Sequence, residues 1–154
     1  MKLFAGIGTK HNWVASARQW FLAIMLLSLA NAILMMSNQS QLLAVGPNLP
    51  YLLANSGLFG MLKSSTVYLM GSVLFAVIFG ALWLAAGSSR AGRVIVALGI
   101  AVVLYGVDAL SMLLRSNFDW VMLACHWYLW FVMLRALMQL KKESRVRSPN
   151  VALA

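Results

Sequence analysis

Four long apolar runs dominate this chain and determine what it can fold into. They cover residues 20–36, 66–87, 94–114 and 120–140. A helix needs about 20 residues to cross roughly 30 Å of hydrocarbon, and each run is close to that length. The runs lack the alternation of apolar and polar residues that is typical of membrane barrels. The sequence therefore predicts an all-α, polytopic transmembrane helix bundle with about four spans.

The composition supports a membrane location. Of the 154 residues, 62% are hydrophobic and only 10% are charged, whereas about 25% of the residues in a soluble domain are charged. A chain this short cannot hide so much apolar surface from water, because small domains keep much of their surface exposed. The formal net charge of +9 comes largely from residues that flank the apolar runs, which indicates contact with lipid head groups. We expect the lipid bilayer as a partner and no binding of nucleic acid.

The distribution of Lys and Arg predicts the orientation. One side of the predicted membrane carries only Lys63 and Arg115. The other side carries Lys2, Lys10, Arg18, Arg90, Arg93, Lys141, Lys142, Arg145 and Arg147. The positive-inside rule places that richer side in the cytoplasm. We therefore expect a cytoplasmic segment over residues 1–19, a bundle over residues 20–140 and a basic cytoplasmic tail over residues 141–154, in the inner (plasma) membrane of a bacterium.

Two features of the chain allow alternative readings. The first run resembles a secretory signal peptide with a small-residue site at residues 30–32, and cleavage there would leave three spans. The outer loop, residues 37–65, contains the sequence GPNLP at residues 46–50 and further apolar residues. Such a loop is too apolar to be freely solvated and too short for another span. It is either an interfacial or re-entrant segment over the outer mouth of the bundle, or a loop that rests on the head groups.

Three ionisable residues lie inside the apolar runs, namely Asp108, His126 and Arg135. Such groups are costly in hydrocarbon and are therefore strong functional clues. We expect the long side chain of Arg135 to extend to the cytoplasmic head groups. Asp108 precedes Arg115 by about 10 Å of helix, and His126 follows Trp120 by nearly the same rise. The two side chains should therefore lie at one depth on neighbouring helices, where each eases the desolvation of the other.

Further polar side chains are predicted at that depth, on every helix. Together with Asp108 and His126 they form a tentative ligand or proton pocket that also includes Asn31, Ser72, Tyr105 and Ser111. The alternative is structural, because hydrogen bonds between membrane helices contribute about 0.6 kcal/mol on average without any further role. The residue pattern alone favours the structural role.

The chain lacks recognisable catalytic motifs such as HExxH, GxSxG or a phosphate-binding glycine loop. Cys125 is the single cysteine, so neither an internal disulfide nor a cysteine metal cluster is possible. We expect no catalytic residues, no metal and no cofactor. The leading hypothesis is a non-enzymatic accessory or assembly subunit of a membrane complex, with a membrane protein or a second copy as partner. A small transporter or proton-linked carrier that uses Asp108 and His126 is the first alternative, and an intramembrane enzyme that uses the same pair is the second.

Overall fold

The structure, a computed structural model, describes residues 12–37, 47–57, 63–114 and 120–147. These residues are helical, with no strand among them. The helices are α1 (Trp13–Met36), α2 (Leu49–Asn55), α3 (Ser64–Ala86), α4 (Ala91–Ser111), which continues into a 3-10 turn (Met112–Leu114), and α5 (Trp120–Arg147). Helices α1, α3, α4 and α5 are each long and apolar enough to cross a membrane. The predicted polytopic bundle of four spans is thus confirmed, and the chain is an integral membrane protein.

Two helices extend beyond the apolar runs. Residues 13–19 belong to α1, although the sequence assigns them to the segment before the first span, and residues 141–147 continue α5 into the basic tail. The side chain of Asn12 accepts a hydrogen bond from the backbone N–H of Ala15 (3.1 Å), so the helix begins at a capping residue. Lys and Arg favour helices almost as strongly as apolar residues do. Charge therefore ends the span without ending the helix.

The four long helices form a ring, in which α1 and α4 each pack against both α3 and α5. The interior is largely apolar and aromatic. The rings of Phe21 and Phe79 lie 5.9 Å apart, and those of Phe79 and Tyr105 lie 6.0 Å apart, in both cases edge to face. Large apolar side chains such as Val77 and Val103 are exposed on the outside, where lipid would surround them. The bundle therefore has a packed core and an apolar outer surface.

Helix α2 packs against α3 and α4 within the connection between α1 and α3. We call the end of the bundle where α1 ends and α3 begins the α2 end. Gly71 of α3 faces Pro50 of α2 so closely that a Cβ atom on Gly71 would lie 2.8 Å from the Cβ of Pro50. Gly71 follows Ser64 by seven residues, or about 10 Å of helix. The first residues of α2 thus contact α3 about 10 Å along the helix from Ser64, while the re-entrant interpretation stays a prediction; residues 38–46 and 58–62 of the loop lie outside the described residues.

Candidate functional site

Asp108 and His126 are in contact, and both side chains are fully buried. His126 Nε2 lies 3.4 Å from Asp108 Oδ2. Asp108 is six residues before Leu114 and His126 is six residues after Trp120, so each lies about 9 Å from the α2 end. The contact follows from two neighbouring helices that run in opposite directions.

The geometry of His126 specifies one proton in this contact. His126 Nδ1 lies 2.9 Å from the backbone oxygen of Met122. A carbonyl oxygen only accepts hydrogen bonds, so Nδ1 must carry a hydrogen. Without a proton between them, the Nε2 lone pair would face the carboxylate of Asp108. The two groups therefore share one proton, and as a pair they carry no net charge.

The second oxygen of Asp108 binds the start of α2. The backbone N–H of Leu49 donates to Asp108 Oδ1 at 2.6 Å. The neighbouring residue Asn48 donates through Nδ2 to Ser111 Oγ (2.9 Å), and that hydroxyl donates to the backbone oxygen of Asp108 (2.6 Å). One carboxylate thus connects α2 to the histidine of α5.

Several buried oxygen atoms of the predicted pocket and of Asn48 have no hydrogen-bond partner among the described residues. They are Asn48 Oδ1, Ser72 Oγ and the Tyr105 hydroxyl, and each residue is at most 4% exposed. The ring of Tyr105 stacks on that of His126, with centroids 5.4 Å apart and planes 8° apart. A buried polar atom without a partner costs about 1–3 kcal/mol. A network that served only to hold the helices together would be expected to satisfy these atoms.

All six residues of the predicted pocket are buried. The structure joins Asp108, His126, Tyr105 and Ser111 by direct contacts. Asn31 on α1 and Ser72 on α3 are buried within about 12 Å of the α2 end, counted along their helices. The proposed layer therefore consists of a connected part on α4 and α5 and two further polar residues on α1 and α3.

Sequence reasoning did not identify the α2 residues of this site, namely Asn48, Leu49 and Pro50. A signal for them exists, because Asn before a helix and Pro in its first turn are both typical of helix starts. Asn48 precedes the first residue of α2, and Pro50 is the second residue of the helix. That signal predicts a helix, but it does not predict which side chain receives its backbone N–H.

Arg135, the third ionisable residue of the apolar runs, stacks on an aromatic ring of its own helix. Its guanidinium lies 4.9 Å from the centre of the Phe131 ring, one turn nearer the α2 end, and the residue is exposed. Helical side chains lean toward the start of their helix, so the charge points away from Lys141. The guanidinium therefore stacks on Phe131, and its predicted extension to the cytoplasmic head groups stays a prediction.

Within the described ranges, no group of three or more His, Cys, Asp or Glu residues could hold a metal ion. No protein-family model, curated protein or solved structure matches this chain. The chemistry of the site therefore rests on its own geometry.

Proposed function

We propose that this chain is a small proton-linked carrier in which Asp108 and His126 take up and release the proton. The observation that supports this role is the bond from the backbone of α2 to the carboxylate that contacts His126. In secondary transporters, binding sites inside the membrane are commonly built where short or interrupted helices end. Helix α2 is a short helix of this kind, and it meets an ionisable pair that would otherwise be costly at that depth.

The proposed mechanism couples protonation to the position of α2. A carboxylate forms hydrogen bonds about twice as strong as those of a neutral acceptor. When Asp108 is ionised, its bond with the Leu49 N–H holds α2 in place. When a second proton enters the pair, Asp108 becomes neutral and this bond weakens. Proton uptake thus weakens the link between Asp108 and α2.

Liposomes that contain the purified protein and a pH-sensitive dye test this proposal. Under an imposed pH gradient, we expect Asp108→Asn and His126→Gln to reduce proton flux at least tenfold. Glu143→Gln is the matched control, because Glu143 lies near the other end of α5 and its carboxylate accepts a bond from Gln139 Nε2 (3.0 Å). Normal flux in the Asp108 and His126 variants, together with a lower melting temperature in detergent, would assign the pair a structural role and refute the proposal.

A role as accessory or assembly subunit, which the sequence favours, is the second candidate. The observation in its favour is Arg135, which is exposed and has no acidic partner among the described residues. A cation that faces lipid is costly, and a carboxylate on a partner helix would reduce this cost. The chain's own buried acid, Asp108, is inaccessible to a second copy, which favours a different protein.

A photo-crosslinker at the exposed position Met138, one turn from Arg135, tests the accessory role, with Val77 on α3 as the control position. The role predicts a crosslink from Met138 to a partner that has an acidic residue in a membrane span. This crosslink should be lost in Arg135→Leu and retained in Lys142→Leu. Equal crosslinking from Val77, or no effect of Arg135→Leu, would contradict it.

We also propose that both termini face the cytoplasm, in a bacterial inner membrane. The distribution of Lys and Arg supports this orientation. Arg90 lies between α3 and α4, Arg93 lies in the first turn of α4, and both are exposed. Lys63 precedes α3 at the other end of the bundle. A reporter that works only in the cytoplasm should be active when it is fused to the C-terminus. An inactive fusion would contradict this orientation.

A further inference from the structure

Four hydrogen-bond donors around Asp108 are engaged, while oxygen atoms with free lone pairs remain. Leu49 N–H, Asn48 Nδ2, the Ser111 hydroxyl and His126 Nδ1 each have an acceptor. Among the described residues, Asn48 Oδ1, which can only accept, has no hydrogen-bond partner, and the hydroxyls of Ser72 and Tyr105, which can donate or accept, have none either. Asp108 Oδ2 faces His126 Nε2 at 3.4 Å and keeps further lone pairs. An anionic ligand needs donors, whereas a cation needs lone pairs and aromatic faces. This inventory favours a cation as the ligand of the layer.

The charge balance leads to the same conclusion and also gives the valence. Within the described ranges, the ion-pair partner of Asp108 is His126, and no Lys or Arg side chain contacts it. Loss of the shared proton would therefore leave one uncompensated negative charge in a fully buried site, which is costly. One monovalent cation restores neutrality, while an anion would double the negative charge.

We infer that the layer beneath α2 binds a monovalent cation, which exchanges one for one with the proton shared by Asp108 and His126. This inference rests on the proposed carrier function and names its second ligand. The exchange balances, since one proton leaves as one positive charge enters and the pair with its ligand stays neutral. A metal ion such as Na⁺ would use the oxygen atoms, and an organic cation would also use the buried rings of Tyr105 and Phe79.

Among the described residues, the other titratable groups on the helices around the layer are phenols and a thiol. The packed elements carry Tyr51 on α2, Tyr68 on α3, Tyr105 on α4 and Cys125 on α5, whereas the part of α1 that faces the layer contributes Ser28 and Asn31. Proton release that is caused by adding a cation at constant starting pH is therefore the measure of the Asp108–His126 pair.

Proton release from the purified full chain in weakly buffered detergent tests this inference. One arm adds NaCl and the other adds tetraphenylphosphonium chloride, with a pH dye as the readout. We expect one of these cations to release about one proton per chain, with an apparent Kd that rises about tenfold for each unit of falling pH, as one-for-one competition requires. Release should be lost in Asp108→Asn and retained in Glu143→Gln. The pH dependence is measured on the unmodified chain, so it holds even if Asp108→Asn fails to fold.

The outcomes separate this inference from the proposed function. If neither cation releases a proton, or if Asp108→Asn releases as much as the unmodified chain, the cation site is wrong. A proton flux that depends on Asp108 would then still support the carrier. If proton flux is independent of Asp108 while a cation displaces the proton, the site binds a cation and the carrier function fails.

Discussion

Replacing Gly71 by alanine tests whether α2 is wedged into the bundle. A Cβ at this position would lie 2.8 Å from Pro50 Cβ, 3.2 Å from its Cγ and 3.3 Å from its Cα. Carbon atoms pack at about 3.5–4.0 Å, so the closest pair must separate by about 0.7–1.2 Å. The proline ring is rigid and one of the close atoms belongs to the backbone. Helix α2 itself must therefore move.

This movement acts on the bond from the Leu49 N–H to Asp108 Oδ1, which is 2.6 Å long. A displacement of about 0.7–1.2 Å along this bond lengthens it to about 3.3–3.8 Å, beyond the ordinary hydrogen-bond range. Hydrogen bonds to charged groups contribute about 1.5–3 kcal/mol, and overpacking costs about 1–3 kcal/mol. The two costs do not add, because the shift of α2 relieves the overpacking. We expect Gly71→Ala to lower the free energy of unfolding by about 1–3 kcal/mol.

Unfolding in a denaturing-detergent titration, followed by circular dichroism, measures this change. Gly99→Ala on α4 is the matched control, because an added Cβ there meets no atom within 4 Å. Hydrogen exchange provides a second readout, since the Leu52 N–H, bonded to the Asn48 backbone oxygen at 3.1 Å, should exchange faster when α2 is displaced. If both variants unfold alike and exchange in α2 is unchanged, the wedge is not a feature of the molecule.

Two further substitutions test the remaining close contacts. In Gly106→Ala, the new Cβ would lie 2.8 Å from Trp130 Nε1, which donates to the Val102 backbone oxygen at 3.0 Å. We expect a loss of about 1–3 kcal/mol in unfolding free energy and a shifted tryptophan emission. Stability equal to that of Gly99→Ala would contradict the close approach of α4 and α5. Arg18→Met removes the hydrogen bond from Nε to the Trp83 backbone oxygen (3.3 Å) and the stacking over the Trp83 ring (4.9 Å). We expect the free energy of unfolding to fall by about 1–3 kcal/mol. The control Arg90→Met, at an exposed position, should unfold like the unmodified chain.

The spans and the depth of the polar pair could be predicted from the sequence because both depend on local properties. Hydropathy indicates which residues lipid can solvate. The span predicted over residues 94–114 therefore ends at Leu114, where the spanning helix with its 3-10 turn also ends. The rise per residue then sets the depth of Asp108 and His126 from the ends of their helices. Helix bounds were less predictable, because a helix such as α1 continues through Arg18 to a capping residue, Asn12, that hydropathy does not detect.

Only the tertiary structure decided what α2 does. A seven-residue helix has too few residues for a periodic pattern, and its partners Gly71 and Asp108 lie about 20 and 60 residues further along the chain. Whether the Leu49 N–H meets water, lipid or a carboxylate depends on how α3 and α4 pack against each other. The proton count of the pair likewise depends on the direction of His126 Nδ1 toward Met122. Local chemistry determines which segments leave water, whereas the pairing of the few polar atoms that go with them depends on distances between helices.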